Sequence, residues 1–238
     1  MTNVYFRFYD ELNDFLPRYQ RHGEIAYDLA SKAGIKDTIE ALGIPHTEVD
    51  KIVVNGEEVD LSYIIAGGEK CSIYPAVPGS KEYPEKFVLD VHLGKLANFL
   101  RMLGFDTLYR NHADDDELAE ISSREERILL SRDRGLFKRS IVVYGYYVRE
   151  TNPQKQLEEV LRRFNFMDKI QPFRLCINCN TNLEPVAKEK VIDLIPPKAR
   201  ERYDTFSRCP SCSQIFWKGS HYEKMQKFIT DLVDKELG

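Results

Sequence analysis

The sequence predicts a multidomain chain that combines α/β and α+β architecture and ends in a metal-stapled ribbon. Three observations predict it. Over residues 1–75, short stretches of period-2 alternation surround one stretch of helical periodicity, which reads as a small α+β domain. From residue 87 onward, apolar runs alternate with helical patterns, the signature of a parallel sheet with helices on its faces. Four cysteines then fall as two pairs, Cys176-x-x-Cys179 and Cys209-x-x-Cys212, separated by residues 180–208. Two short knuckles of that kind can set four thiolates around one tetrahedral Zn²⁺.

Val4, Phe6 and Phe8 alternate with Tyr5, Arg7 and Tyr9, so the first element is a half-buried strand. A polar stretch follows, and Ile25 to Leu29 reads as a second strand. Ile35, Ile39 and Leu42 recur at helical spacing, and Gly43 with Pro45 stops that helix. Lys51 to Val54, Asn55-Gly56 and Glu57 to Val59 predict a hairpin with a two-residue turn. Glu69 to Tyr74 closes the domain, ahead of Pro75 and Pro78-Gly79. The single cysteine in this strand, Cys71, reads as a buried thiol.

Residues 80–86 are polar, contain a proline and read as a linker. Phe87 to Leu89 is an apolar strand ending at Asp90. Leu93, Leu96, Ala97, Leu100 and Leu103 form a helix capped by Gly104. Thr107 to Tyr109 is a strand, and Asp114 to Glu117 opens a helix at its positive end. Ile128 to Leu130 is a strand leading to Ser131, Arg132, Asp133 and Arg134; Ile141 to Tyr146 reads as another, and Gln154 to Arg163 as a helix.

In such sheets ligands gather beyond the carboxyl ends of the strands. Asp90 and Asp133 each follow an apolar strand, and one of Asp114, Asp115 or Asp116 can reach the same rim from a helix start. Three carboxylates without histidine or cysteine partners suit Mg²⁺ or Mn²⁺. Arg132 and Arg134 flank Asp133 and are candidates for phosphate contact. The cysteine segment has few apolar residues of its own, and four thiolates leave no open coordination position, so the zinc is expected to be structural.

Composition narrows the class. Of 238 residues, 42% are hydrophobic and 30% charged, an ordinary globular balance. No apolar run reaches membrane-spanning length, and the start Met1-Thr2-Asn3-Val4-Tyr5-Phe6 lacks the pattern of an export signal. Unpaired thiols and no export signal point to the cytoplasm. Residues 1–80 carry 7 Lys/Arg against 13 Asp/Glu, a poor nucleic-acid surface, whereas 81–170 carry 16 against 16 and 171–238 carry 11 against 9.

Two resemblances sharpen these expectations. The segment from Val53 to Val59, with Ile65-Ala66-Gly67-Gly68-Glu69 to Pro75, resembles the ubiquitin-like β-grasp sulfur carriers. Their chain ends in Gly-Gly, whereas here Gly67-Gly68 precedes the last strand, where a tight turn accounts for it. The stretch Phe87-Val-Leu-Asp90-Val-His-Leu-Gly94-Lys-Leu-Ala-Asn-Phe-Leu-Arg101-Met-Leu-Gly104-Phe-Asp106 resembles the opening of the PIN-like RNase domain at the carboxyl end of the Mut-seven exonuclease. Asp115 to Leu118, Arg127 to Arg134, the two cysteine knuckles and Phe216-Trp217-Lys218-Gly219-Ser220-His221-Tyr222 are similar to its later blocks.

The resemblance implies a β-grasp domain over 1–79, a PIN-like nuclease domain with a parallel sheet over 86–170, and a zinc ribbon with a terminal helix over 171–238. It implies a catalytic Mg²⁺ or Mn²⁺ on Asp90, Asp115 and Asp133, with Ser131, Arg132 and Arg134 near substrate. Asp115 is preferred over its neighbours because it stands three before Leu118. A fourth acidic residue, usual in PIN nucleases, has no clear match; Asp116 and Glu117 are the candidates. The expected function is metal-dependent RNA hydrolysis, with RNA as substrate and a protein partner for the β-grasp domain. The alternative is a non-catalytic RNA- or ribosome-associated adaptor that keeps the fold.

Overall fold

The computed structural model describes residues 2–237. In chain order the elements are β1 (Thr2–Phe8), β2 (Glu24–Leu29), β3 (Ala33–Gly34), α1 (Ile35–Ala41), β4 (Val49–Val54), β5 (Glu57–Val59), β6 (Ile64–Ile65) and β7 (Lys70–Pro75). There follow β8 (Lys86–Leu89), α2 (Gly94–Met102), β9 (Asp106–Tyr109), α3 (Asp115–Glu125), β10 (Ile128–Ser131), β11 (Gly145–Tyr147) and α4 (Pro153–Phe164). Last come β12 (Glu184–Val186), α5 (Pro197–Arg202), β13 (Phe206–Arg208), β14 (Ile215–Trp217) and α6 (Ser220–Leu237). By contact the chain divides into two units, Met1–Pro84 with Ala113–Val148, and Glu85–His112 with Arg149–Gly238.

In the first unit, five strands form a sheet in the order β2-β1-β7-β4-β5, with β1 and β7 parallel and the other pairs antiparallel. This is the mixed sheet of a ubiquitin-like domain. Val4, Phe6 and Phe8 all point into its core, as their alternation requires. Each such burial contributes about 1.5–3 kcal/mol. The β4–β5 turn has Asn55 and Gly56 at φ 52° and 93°, the left-handed pair that matches strand twist. Gly67 and Gly68 also have positive φ, and Gly68 N–H bonds the Asn3 carbonyl at 2.8 Å. The Glu69 carboxylate caps this turn by accepting the Ala66 and Gly67 N–H groups, each at 2.7 Å.

One expectation here needs correction, and two features carried no signal in the sequence. The stretch after β1 is not a plain loop: it forms two 3-10 turns, Asp10–Phe15 and Arg18–Gln20, and puts Leu12, Phe15 and Leu16 into the core. The strand expected over Ile141–Tyr146 begins only at Gly145, because Val142 is drawn into the interior by a 3-10-like turn on Arg139. The short pair β3–β6 had no legible period.

Parallel pairing holds for β8 with β9, and for β10 with β11, as the strand–helix alternation predicts. Phe87, Val88 and Leu89 are buried, as are Ile128, Leu129 and Leu130, which is why these runs lack alternation. Gly104 ends α2 at φ 93°, and a Cβ there would overlap the Gln171 carbonyl oxygen. In the ribbon, β12, β13 and β14 form an antiparallel sheet. Its apolar content exceeds the expectation: Val191, Ile195, Phe206 and Ile215 form a small core with Val186, Tyr203 and Trp217 against it.

Candidate functional site

The four cysteines come together as their spacing predicts. Their sulfurs all lie within 4.8 Å of one another, with Cys176 and Cys212 at 3.6 Å and Cys179 and Cys209 at 3.3 Å. Four sulfurs at ~2.3 Å from one Zn²⁺ would stand about 3.8 Å apart, so the set fits a tetrahedral ion. None of them is in a disulfide. The two knuckles repeat one backbone design. Cys176 N–H bonds Thr181 O and Asn180 N–H bonds Cys176 O; Cys209 N–H bonds Gln214 O and Ser213 N–H bonds Cys209 O. Asn180 and Ser213 take the matching left-handed positions at φ 64° and 60°.

Burial pushes the Cys176 thiol up to about 12. At Cys179 burial acts the same way but is outweighed by hydrogen bonds from the Cys209 thiol and the Thr181 hydroxyl, which bring it down to about 6. Zn²⁺ takes its cysteine ligands as thiolates, so a bound cation would displace the protons they carry.

The first knuckle is seated by residues whose role was not legible in the sequence. Arg101, on α2 and only 4% exposed, donates from Nε to Thr107 O at 2.9 Å. Its Nη1 donates to the Ile177 and Asn178 carbonyls inside the knuckle at 3.0 and 2.9 Å. Burial lowers its pKa, opposed by the nearby Cys176, Cys179 and Asp106. Asn180 takes the Thr107 N–H at 2.9 Å and donates to Asp106 at 2.5 Å. Arg174 bonds Gly104 O at 2.9 Å. Arg101, Gly104 and Asp106 were all in the stretch that carried the resemblance; the Arg101 and Asp106 side chains and the Gly104 carbonyl hold the ribbon.

The carboxylates are distributed between the units. Asp90 follows β8, is 6% exposed, and its carbonyl starts a 3-10 turn by accepting the Leu93 N–H. Tyr109 Oη donates to Val91 O at 2.9 Å and fixes the same turn. Gly94 leaves room for that ring, since a Cβ would stand 2.7 Å from Tyr109 Oη. In the other unit, Asp114 is the N-cap of α3, accepting the Glu117 N–H at 2.8 Å. That task leaves Asp115 as the first helical residue, with Arg139 3.8 Å from its carboxylate. Arg139 lies closer to Asp116, at 3.0 Å, so this candidate for a fourth ligand is already ion-paired. Asp133 accepts the Gly135 N–H on Oδ1 at 2.8 Å, and Oδ2 takes no hydrogen bond among the described residues.

The residues expected near substrate behave differently. Ser131 is fully buried, and its Oγ accepts the Asp133 N–H at 2.8 Å, so it shapes the turn that presents Asp133. Arg132 donates to Val148 O at 3.2 Å. Arg134 departs furthest from expectation. Its guanidinium donates to Phe15 O and Asp14 O at 3.0 and 3.1 Å. It also lies over the rings of Phe15 and Tyr147, at 4.9 and 5.4 Å from their centroids. Within the same unit Glu48 accepts the Tyr147 N–H at 2.7 Å and His46 bonds Val142 O at 2.9 Å. Trp217 packs on Phe206 and Tyr222 on Phe173; the side chain of His221 lies outside the described residues.

The Mut7-C RNAse domain family matches residues 85–229, and the Mut7-C ubiquitin family matches residues 1–80. Among solved structures, small archaeal modifier protein 1 of H. volcanii is similar at 18% identity over 32% of this chain and 100% of its own, with a TM-score of 0.26. No curated protein matches.

Proposed function

The chain belongs to the Mut7-C RNAse domain family, and on that premise we propose that it is a metal-dependent ribonuclease with a structural zinc ribbon and a ubiquitin-like recruitment domain. The observation that supports this reading is that Asp90, Asp115 and Asp133 all fall in the matched domain, at strand ends or a helix start. Their oxygens are a donor set suited to Mg²⁺ or Mn²⁺. Such an ion, when bound, polarises a phosphodiester oxygen and makes its bound water acidic. The chain's own part is orientation. Ser131 and Gly135 hold Asp133 from two sides, and the Tyr109 hydroxyl fixes the turn that carries Asp90. Asp114 sets the start of α3, and so the place of Asp115.

The cysteine quartet, read as a structural zinc site, keeps the ribbon folded and available to RNA. Residues 1–79 form a separable ubiquitin-like domain whose acidic surface recruits a protein partner rather than nucleic acid. No helix among the described residues is long and apolar enough to cross a membrane; with reduced thiols this supports a cytoplasmic protein.

Site-directed variants test the reading. Asp90→Asn, Asp115→Asn and Asp133→Asn should each abolish Mg²⁺- or Mn²⁺-dependent cleavage of a single-stranded RNA panel, and a double variant should be no worse than a single one. Asp114→Asn should keep most activity, because asparagine caps a helix as well as aspartate does. Full activity in the Asp90 or Asp133 variant would sink the mechanism. A wild type that binds RNA and cuts none would establish the adaptor alternative instead.

A further inference from the structure

A polar recess of about 470 Å³ opens between α2 and β9, lined by Gly94, Asn98, Arg101, Tyr109, Arg110, Asn111 and Asn178. Seven residues contribute, and none is a carboxylate. Two are arginines and three are asparagines, so the lining is rich in N–H donors. Asn98, Arg110, Asn111 and Asn178 form an exposed rim, and Arg101 is the buried floor. Arg101 spends Nε and Nη1 on three backbone carbonyls. Its Nη2 takes part in none of these bonds, and Arg101 forms no ion pair among the described residues. The Arg101 charge already faces Cys176, Cys179 and Asp106; what its place at the base of a donor-lined recess adds is N–H groups that can hold an anion of fixed geometry together with the rim amides.

We propose that this recess binds a backbone phosphate of RNA, and so positions the strand in the RNase domain. The shape of the lining favours a phosphate over a carboxylate peptide or a base. Tetrahedral oxygens can take the guanidinium edge and the side-chain amides together, whereas the single ring in the lining, Tyr109, stands among donors and is tied by its hydroxyl to Val91 O. The position fits the use. Tyr109 lines the recess and also holds the Val91 carbonyl, one residue beyond Asp90. A phosphate seated here would lie on the same turn that carries a candidate catalytic carboxylate. The inference rests on the ribonuclease reading for the identity of its ligand, and it assigns to Asn98, Arg110 and Asn111 the strand-positioning role that Arg134 does not fill.

Equilibrium binding of a fluorescent single-stranded 12-nucleotide RNA, in Ca²⁺ in place of Mg²⁺ or Mn²⁺, tests it. Asn98→Asp and Asn111→Asp place a carboxylate on the rim without removing a structural bond, and Arg110→Gln removes a charge. Each should weaken binding five- to twenty-fold, and Arg110→Gln should lower the slope of log affinity against log salt by about 0.7. Melting temperature and zinc content within error of wild type would confirm that the variants are folded. Arg101 is left intact, because its substitution would unseat the knuckle. Unchanged RNA affinity in Asn98→Asp and Asn111→Asp overturns the proposal, even if wild type cleaves RNA. Inorganic phosphate that binds wild type but not Asn111→Asp, with RNA affinity the same in both, also overturns it, since the recess would then serve a free anion. Weakened binding in a wild type background that cuts no RNA leaves the recess standing and removes the nuclease reading.

Discussion

The ubiquitin-like strands close over one apolar cluster that runs from Val4 on β1 to Ile73 on β7, with Leu12, Phe15, Ile35, Ile39 and Ile52 between them. The ribbon strands β12 to β14 close over Val191, Ile195, Phe206 and Ile215 and little else. Both regions are small sheets with long connections, so both must offset a similar chain entropy per residue. The first does so by burial alone. The second lacks the area and adds two things, a cysteine quartet and a set of side chains that bind loop carbonyls. The comparison teaches that the difference lies in what ends each loop. In the ubiquitin-like region the turns at Asn55-Gly56 and Gly67-Gly68 are held by their own residues and Glu69, with Arg134 added on the Asp14 and Phe15 carbonyls. In the ribbon each knuckle closes on its own backbone, and the first also takes Arg101 on the Ile177 and Asn178 carbonyls.

The sharpest way to break this comparison is to remove a thiolate. Cys209→Ser should abolish zinc binding and unfold β12 to β14 while residues 1–79 stay folded, because structural zinc contributes about 10–16 kcal/mol of apparent binding energy that is also folding energy. Limited proteolysis should then cut within 171–229 and spare the amino-terminal region. Elemental analysis that finds no zinc in wild type purified without chelator would leave the ribbon's stability unexplained and end the contrast.

A smaller effect should come from the tether. Gly104→Ala forces a methyl group against the Gln171 carbonyl at a left-handed backbone position. The cost should be about 2–4 kcal/mol, read as a lower urea midpoint and faster transfer of zinc to a chromogenic chelator. A wild-type rate of zinc loss would show that the ribbon stands without its seat on α2.

The smallest effect should be at Arg134. It is exposed and bonds two carbonyls, so Arg134→Ala should cost about 1 kcal/mol. RNA affinity should not change, which separates it from Arg110. Loss of RNA affinity at unchanged stability would return Arg134 to the phosphate contact that its place beside Asp133 suggested.

Much of this molecule was legible from local pattern. The alternation of Val4, Phe6 and Phe8, the Asn55-Gly56 turn and the helical spacing of Leu96 to Leu103 each report their immediate surroundings, and each element formed where its period indicated. The Cys-x-x-Cys pairs were legible for a related reason. Two thiolates three apart on a tight turn are a local geometry, and only their meeting across residues 180–208 is long-range. The preference for Asp115 over Asp114 rested on spacing; in the structure Asp114 is the N-cap of α3 and Asp115 its first residue.

What the sequence by itself determined, then, is the set of periods, turns and ligand types, because these depend on neighbours within a few positions. Tertiary structure alone decided which polar side chains are spent on backbone. Arg134 and Arg101 look alike in sequence, each a basic residue within a few positions of an acidic one. One holds the carbonyls of Asp14 and Phe15, and the other holds a knuckle and floors a recess. Unpaired carbonyls in loops far along the chain created both demands, and no local pattern announces where a distant loop will leave an acceptor unsatisfied.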